Sequence, residues 1–199
     1  MPIEYEAKFI AIDKDVIRQK LNDAGYQCIL PEFLYRRQVF DVPGAGPEKW
    51  GRVRWEKEVI NLSIKHTVDV TSIDGTHEHL INIPINENPM QQYHDAIDFM
   101  IACGMTPAGE QENKREIWTK GDVEICIDTW PGVKPYVEIE SMDEATVRAA
   151  SHELGFDFST ALFGGITTIY ETELGISVND FAKIKTVTFD NPPRAKQGV

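Results

Sequence analysis

The sequence lacks any apolar run approaching the ~20 residues that a transmembrane helix needs. Its N-terminus has Glu4 and Glu6 where a signal peptide would have basic residues followed by an apolar segment. Cysteine is scarce, since Cys28, Cys103 and Cys126 are odd in number and have no metal-ligand spacing. These absences argue against a membrane protein, a secreted protein and a disulfide framework, and we expect a location in the reducing cytoplasm.

Basic residues are also few, with 20 Lys and Arg against 32 Asp and Glu, for a net charge of −12. Such a balance opposes binding to duplex nucleic acid or to an anionic membrane unless the basic residues are concentrated locally. The glycines within 44–46 are not followed by the G-K-[ST] of a phosphate-binding loop. The position of the basic residues therefore matters more than their number.

The composition, 42% hydrophobic and 26% charged over 199 residues, is typical of a soluble globular domain. Periodicity and capping residues predict helices over 14–24, 89–103 and 143–154, and a shorter one within 168–174. Alternating patterns predict strands over 3–11, 35–42, 51–58, 60–68, 77–84, 113–120, 122–129 and 135–141. We therefore expect a single α+β domain over residues 1–190, with 191–199 forming a disordered tail.

Charged residues share one face of each predicted strand. In "IEYEAKF", Glu4, Glu6 and Lys8 alternate with apolar or aromatic residues, and similar alternation recurs in "GRVRWE", "NLSIKHT" and "PYVEIES". The apolar faces carry tryptophans and β-branched residues that require a core. Two arrangements remain open, an open sheet with water on its charged side or a closed barrel whose interior charges pair with each other or with a bound ion.

The mixture of charges indicates which ion would suit an enclosed site. Carboxylates are hard oxygen ligands suited to Mg²⁺ or Mn²⁺, and arginine forks suit phosphate oxygens. The candidate phosphate ligands are Lys8, Arg37, Arg52, Arg54, Lys65 and Arg115, and the candidate metal ligands are Glu4, Glu6, Glu138 and Glu140. Acids and bases in one cavity are what a metal–polyphosphate complex needs.

"EYEAK" resembles the E-x-E-x-K signature of the CYTH proteins, also called triphosphate tunnel metalloenzymes. Further elements follow in the order of that family, namely "FD" at 40–41, "RVR" at 52–54, "LSIK" at 62–65, a glutamate at 78, "KREIW" at 114–118, "ID" at 127–128, "VEIE" at 137–140 and "YETEL" at 170–174. The resemblance spans residues 3 to about 175. Three positions depart from it. Val39 stands where the family often has a tyrosine, Asn113 stands where many members have a basic residue, and the fifth strand has His77 where cyclase-type members tend to have an arginine two residues closer to the start of the motif.

The resemblance implies a closed eight-stranded antiparallel β-barrel, or tunnel, with helices packed outside. It implies that Glu4, Glu6 and Glu138, with Glu140 nearby, hold a catalytic Mg²⁺ or Mn²⁺, and that Asp128 positions a second metal or a basic side chain. The residues that would contact the phosphates are Lys8, Arg52, Arg54, Lys65 and Arg115, to which the charge pattern adds Arg37. Lys8 and Lys65 are the candidates for assisting the attacking water.

Three functions are consistent with these expectations. The first is metal-dependent hydrolysis of a small triphosphate compound, which is inorganic triphosphate, thiamine triphosphate or a nucleoside triphosphate. An alternative is a class IV adenylyl cyclase, which makes cyclic AMP and pyrophosphate from ATP. A second alternative is a non-catalytic protein that binds polyphosphate or nucleotide. The sequence does not choose among the substrates, and the oligomeric state is open.

Overall fold

The structure is a computed structural model that describes residues 3–195, with only the backbone given for Ile3 and Glu4. Within these residues the chain forms nine strands and five α-helices. The strands are β1 (Ile3–Phe9), β2 (Gln27–Asp41), β3 (Lys49–Trp55), β4 (Val59–Thr67), β5 (Thr76–Pro84), β6 (Thr106–Lys120), β7 (Val123–Thr129), β8 (Tyr136–Ser141) and β9 (Thr186–Val187). The helices are α1 (Lys14–Asp23), α2 (Pro89–Ala102), α3 (Glu144–Glu153), α4 (Ile166–Leu174) and α5 (Val178–Phe181).

The four predicted helices are confirmed, with ends that differ by at most two residues. Asp13 caps α1 by accepting hydrogen bonds from the backbone N–H groups of Asp15 and Val16, and Asn88 caps α2 immediately before Pro89. Asp143 lies outside α3 as its N-cap. None of the helices in residues 3–195 combines the length and apolarity that a membrane span requires.

Two strands are longer than the sequence predicted. The alternation is interrupted by Pro31 in the first half of β2, and by Pro107 and Gly109 in the first half of β6. The two strands nevertheless pair antiparallel from Gln27 to Asp41, with register irregularities near these positions. Bulges absorb residues that cannot follow a regular ladder, so the pairing survives where the local pattern fails.

The eight long strands form one curled antiparallel sheet in the order β2-β3-β4-β5-β1-β8-β7-β6, and β2 also pairs with β6. Between β1 and β5, however, the ladder has only two residue pairs, Ile3 with His77 and Glu4 with Thr76. Because β5 begins at Thr76, its overlap with β1 ends there, and β1 from Tyr5 onward has no paired strand on this side, so the sheet is a half-open barrel. The prediction of a fully closed barrel is therefore wrong in this respect, although the α+β class and the antiparallel sheet are confirmed.

Two connecting segments lie along this opening, which we call the seam. The backbone N–H of Glu6 donates to the carbonyl of Ile73, 3.1 Å away, and Lys8 exchanges two backbone hydrogen bonds of 2.9 Å with Leu162. A Cβ placed on Gly164 would lie 3.3 Å from the carbonyl oxygen of Val70. The segments 68–75 and 161–165 therefore meet beside β1 and occupy positions that a regular barrel would give to β5.

Apolar residues form three clusters against the helices. The first two lie on the outer face of the sheet, whereas the third contains Tyr136, which is the cross-strand partner of Asp128 and therefore lies on the inner face. One joins Ala7, Ile125 and Ile139 to Ile17 of α1 and Val147 of α3. A second packs Phe40, Val53 and Ile60 against α2, and a third joins Trp130 and Tyr136 to α4 and α5. Because the helices cover the apolar face, the alternate residues of the same strands must face the interior of the curled sheet.

The seam generates a prediction about two adjacent glycines. Gly164 has φ of +80° and contacts Val70, whereas Gly165 has an ordinary φ of −78° and no atom within 4 Å of the position that a Cβ would take. We expect Gly164→Ser to lower the free energy of unfolding by about 1–2 kcal/mol, because the left-handed region disfavours a side chain.

Urea unfolding of the two variants measures this difference. Gly165→Ser is the matched control, and it is expected to leave stability unchanged or to raise it slightly, because Gly165 is the N-cap of α4 and serine is a good cap. Equal stability of the two variants would contradict the packing described for segment 161–165.

Candidate functional site

The interior of the curled sheet is lined by charged side chains, as the alternation predicted. On β3, Arg52 is buried on the inner face while Val53 lies in an outer core cluster. On β1, Lys8 is buried on the inner face and is flanked by Ala7 and Phe9 of the outer core. The charges of separate strands therefore converge on one enclosed space.

Three carboxylates meet at one part of this interior. Oxygen atoms of Glu6, Glu138 and Glu140 all lie within 4.8 Å of one another, because Glu6 is the cross-strand partner of Glu140 and Glu138 lies two residues before Glu140. Burial, together with the charges of Glu138, Glu6 and Glu124, raises the pKa of Glu140 to about 7. Mutual repulsion of this kind is relieved by a cation, and carboxylate oxygens are the ligands that Mg²⁺ and Mn²⁺ prefer.

Glu4 is the remaining predicted metal ligand. Its backbone pairs with Thr76, but its side chain lies outside the described residues. Its role as a ligand therefore stays a prediction.

Lys8 lies between two of the clustered carboxylates. Its Nζ is 2.8 Å from Oε1 of Glu6 and 3.3 Å from Oε2 of Glu138, and the residue is only 2% exposed. Burial alone would lower the pKa of Lys8, but the charges of Glu138 and Glu6 outweigh it and hold this pKa above its usual value. An ammonium held in this way stays protonated at neutral pH, so it is suited to binding an anion and unsuited to accepting a proton.

Arg115 and Asp128 form a fork-to-fork pair on the neighbouring strands. Nε and Nη2 of Arg115 donate to the two oxygens of Asp128 at 2.9 and 2.6 Å, and Nη2 also donates to Glu138 at 3.1 Å. Asp128 is fully buried and accepts a further bond of 2.7 Å from the amide of Asn113. Asp128 is thus placed against a basic side chain and is not part of the carboxylate cluster.

Glu138 connects the two groups of cations. Burial alone would raise its pKa, but Lys8, Arg115 and Lys65 outweigh burial and hold the pKa of Glu138 well below its usual range. The carboxylate therefore stays ionised and available to a metal, while its partners hold it in position.

The opposite wall of the interior, on β3, β4 and β5, is more basic. Nη2 of Arg52 donates to Glu78 at 3.1 Å and to Asn61 at 3.3 Å, and Nζ of Lys65 lies 3.3 Å from the other oxygen of Glu78. Among the described residues, Nε of Arg52 and Oγ of Ser63 are buried with no hydrogen-bond partner. Buried donors in this state favour an acceptor such as a phosphate oxygen.

The last two predicted phosphate ligands, Arg37 and Arg54, are neighbours across β2 and β3. The Arg54 guanidinium pairs with Glu56 and lies 5.1 Å from the ring centre of Tyr35. The Arg37 guanidinium donates to Asn113 and lies 4.6 Å from the ring centre of Trp130. The structure therefore brings all six predicted cations to the same interior.

Several interior residues were missed by the sequence analysis as parts of the site. Glu78 holds Arg52 and Lys65, and Asn113 links Arg37 to Asp128. Tyr35 lies two residues before Arg37, and burial raises its pKa to about 12. The period-two spacing from Arg37 could have predicted that this tyrosine faces the interior. The position matters because the family often has an interior tyrosine where this chain has Val39.

The fold is shared with solved structures, whereas no family model and no curated protein matches the sequence. A "putative adenylate cyclase" from Vibrio parahaemolyticus matches with a TM-score of 0.66 at 12% identity, covering 85% of this chain and 98% of that one. The PH1012 protein from Pyrococcus horikoshii matches with a TM-score of 0.64 at 17% identity, covering 80% and 94%.

A "putative adenylyl cyclase" from Hippeastrum, described as having a dominant triphosphatase activity, matches with a TM-score of 0.50 at 17% identity, covering 88% of this chain and 96% of that one. At these identities the similarity shows the fold alone. The resemblance inferred from the motifs is thereby confirmed at the level of the fold.

The carboxylate cluster predicts separable effects on metal binding and on stability. We expect Glu140→Gln to weaken Mn²⁺ binding by about tenfold or more, because it removes one charged ligand. The same change should leave the stability of the metal-free protein equal or higher, because it removes a buried charge that its neighbours repel.

Isothermal titration with Mn²⁺ and urea unfolding in EDTA measure the two effects. Glu171→Gln, an exposed position on α4, is the matched control and should change neither. Unchanged Mn²⁺ affinity in the Glu140 variant would exclude this residue from the metal site.

Proposed function

We propose that this protein hydrolyses a small triphosphate compound with the help of a divalent metal, in the interior of a sheet that has the fold of the triphosphate tunnel proteins. The observation that supports this most is the adjacency of the carboxylate cluster to buried cations, in which Glu138 contacts both Lys8 and Arg115. A simple metal site would have no use for so many cations, and a simple anion site would have no use for the carboxylates.

In this proposal Glu6, Glu138 and Glu140 hold a Mg²⁺ or Mn²⁺ ion, joined by Glu4 as the sequence predicts. The bound metal would neutralise phosphate charge and polarise a phosphoryl oxygen. The carboxylate-rich environment of Glu140, with its pKa raised to about 7, fits such an ion on the chemistry of the donors. Carboxylate ligands discriminate only weakly between Mg²⁺ and Mn²⁺, so we expect either metal to support activity.

The cations would bind and orient the phosphate groups. Arg115 is fixed by Asp128, and Arg52 is fixed by Glu78, so both guanidinium groups are held in position before substrate binds. Phosphoryl transfer depends on placement and charge neutralisation more than on covalent chemistry, which makes fixed cations effective. Lys8 acts in this scheme as a permanent ammonium, which leaves Lys65 as the better of the two predicted candidates for contacting the attacking water.

A second candidate function is cyclisation of ATP, which the similarity in fold to the Vibrio protein supports. In that reaction a ribose hydroxyl attacks the α-phosphorus and pyrophosphate leaves. The Hippeastrum protein bears on both candidates, because its description names a cyclase and a dominant triphosphatase activity. We favour hydrolysis, since the interior residues supply carboxylates and phosphate donors, and the sequence offers no residue set that identifies a pocket for a base.

Product analysis separates these candidates. With inorganic triphosphate, thiamine triphosphate and ATP in turn, and with Mg²⁺ or Mn²⁺, we expect release of orthophosphate from at least one substrate. Pyrophosphate together with a cyclic nucleotide from ATP would establish the cyclase instead. Tight binding of a triphosphate with neither product would leave the non-catalytic function predicted from the sequence.

Removal of the central carboxylate should abolish most of the turnover. We expect Glu138→Gln to reduce kcat by about 10²–10³-fold, because it removes both a metal ligand and the partner that positions Lys8 and Arg115. Glu171→Gln should retain full activity. Circular dichroism of both variants checks that they fold, and a folded Glu138 variant with the kcat of the unmodified protein would refute the assignment.

A further inference from the structure

Two buried donors lie in the interior near Asn113, beyond Arg115 and Asp128 from the carboxylate cluster, and the proposed function assigns neither of them to a particular phosphate group. Nε of Arg37 and Nε1 of Trp130 are both buried, and neither has a hydrogen-bond partner among the described residues. The two groups are in contact, because the Arg37 guanidinium lies 4.6 Å from the centre of the Trp130 ring. Because both donors are buried without hydrogen-bond partners, binding of an acceptor at this pair would be favourable.

The charges around this pair favour an anionic acceptor. Burial lowers the pKa of Arg37, as do the charges of Arg54, Arg52 and Arg115, so positive charge is concentrated here. The outer side is sealed by α4 and α5, whose Tyr170 and Phe181 are buried against Trp130. A phosphate oxygen is an acceptor that both donors of the pair could use.

Asn113 fixes the position of the pair. Its side-chain oxygen accepts from Nη2 of Arg37, and its amide nitrogen donates 2.7 Å to Asp128, which in turn holds Arg115. Asn113 is fully buried. A continuous series of contacts therefore runs from Glu138 through Arg115, Asp128 and Asn113 to Arg37, and a shift at one donor is resisted by the others.

The strand register places these groups along the length of a phosphate chain. Glu138 is opposite Cys126 on β7, and Asp128 lies two residues farther along that strand, opposite Arg115. Asn113 lies two residues farther still on β6. Two steps of two residues amount to about 13 Å of strand, which is more than one phosphate group requires.

We propose that Arg37 and Trp130, positioned by Asn113, form a subsite for the phosphate group of the substrate that lies farthest from the metal. The inference rests on the proposed function and names its substrate class. That phosphate is a chain end, so the favoured substrate is a linear oligophosphate such as inorganic triphosphate, whose other end would lie at the carboxylate cluster.

The subsite is tested by calorimetric binding of inorganic triphosphate and of pyrophosphate in EDTA, where no metal-dependent turnover occurs. Trp130→Phe removes the indole N–H and keeps an aromatic ring under Arg37. We expect it to weaken triphosphate binding about tenfold, the loss of one hydrogen bond to a charged group, and to leave pyrophosphate binding unchanged. Trp55→Phe is the matched control, because Nε1 of Trp55 is also buried and unpartnered but lies on the outer face beside α2.

Asn113→Ala is a second variant that should give the same selective loss, and it keeps the proposal testable if the Trp130 variant does not fold. In the unmodified protein, the NMR resonance of the Trp130 indole N–H should shift when triphosphate is added and should not shift with pyrophosphate. The resonance is assigned by its absence from the Trp130→Phe spectrum or by triple-resonance methods. An unmoved resonance means that only water occupies the pair, and it would overturn the proposal. Equal weakening of both ligands would overturn the assignment to the third phosphate.

These measurements do not depend on catalysis. Absence of hydrolysis with intact, Trp130-dependent triphosphate binding would remove the proposed enzymatic function and keep the subsite. If the protein hydrolyses triphosphate but neither the Trp130 nor the Asn113 variant changes binding, the enzymatic function would stand and the subsite would be refuted.

Discussion

Pairing of charges inside the curled sheet is the constraint on which the rest of the structure depends. An ion moved from water into a protein interior loses several kcal/mol of solvation unless a partner of opposite charge replaces the water. Lys8, Arg52 and Arg115 are buried or nearly so, and each is held by at least one carboxylate. The outer apolar clusters can therefore form only in a register that also brings these partners together inside.

This constraint explains why strand alternation could assign the charged residues to one interior, although their roles in binding metal or phosphate stay predictions. Strand alternation is a local signal, so it assigned Lys8, Arg52, Glu138 and their neighbours to one face without knowledge of strand order. Which cation meets which carboxylate depends on cross-strand register, and this is why Glu78 and Asn113 were missed. The partner of Asp128 was equally unpredictable from local sequence, because its contact with Arg115 depends on the register between β6 and β7.

The lengths of two strands and the incomplete closure of the barrel were harder to predict, for a different reason. The first halves of β2 and β6 contain Pro31, Pro107 and Gly109, which weaken any strand pattern, yet each half is stabilised by pairing with the other strand. The half-open seam has no local signature at all. It arises because β5 begins only at Thr76 and overlaps β1 by two residue pairs, and the opening is covered by segment 68–75, which leads into β5, and by the distant segment 161–165.

The internal pairing of the cations has a consequence for selectivity. Before any ligand arrives, Arg52, Arg115 and Lys8 are already paired with Glu78, Asp128 and Glu138, whereas Arg37 donates only to the neutral Asn113. A singly charged ion such as chloride has too little charge to compete with these carboxylates at close range. Under the proposed function, a ligand that brings several negative charges together with its own divalent counter-ion would satisfy both signs at once, so we expect selection by ligand charge as well as by shape.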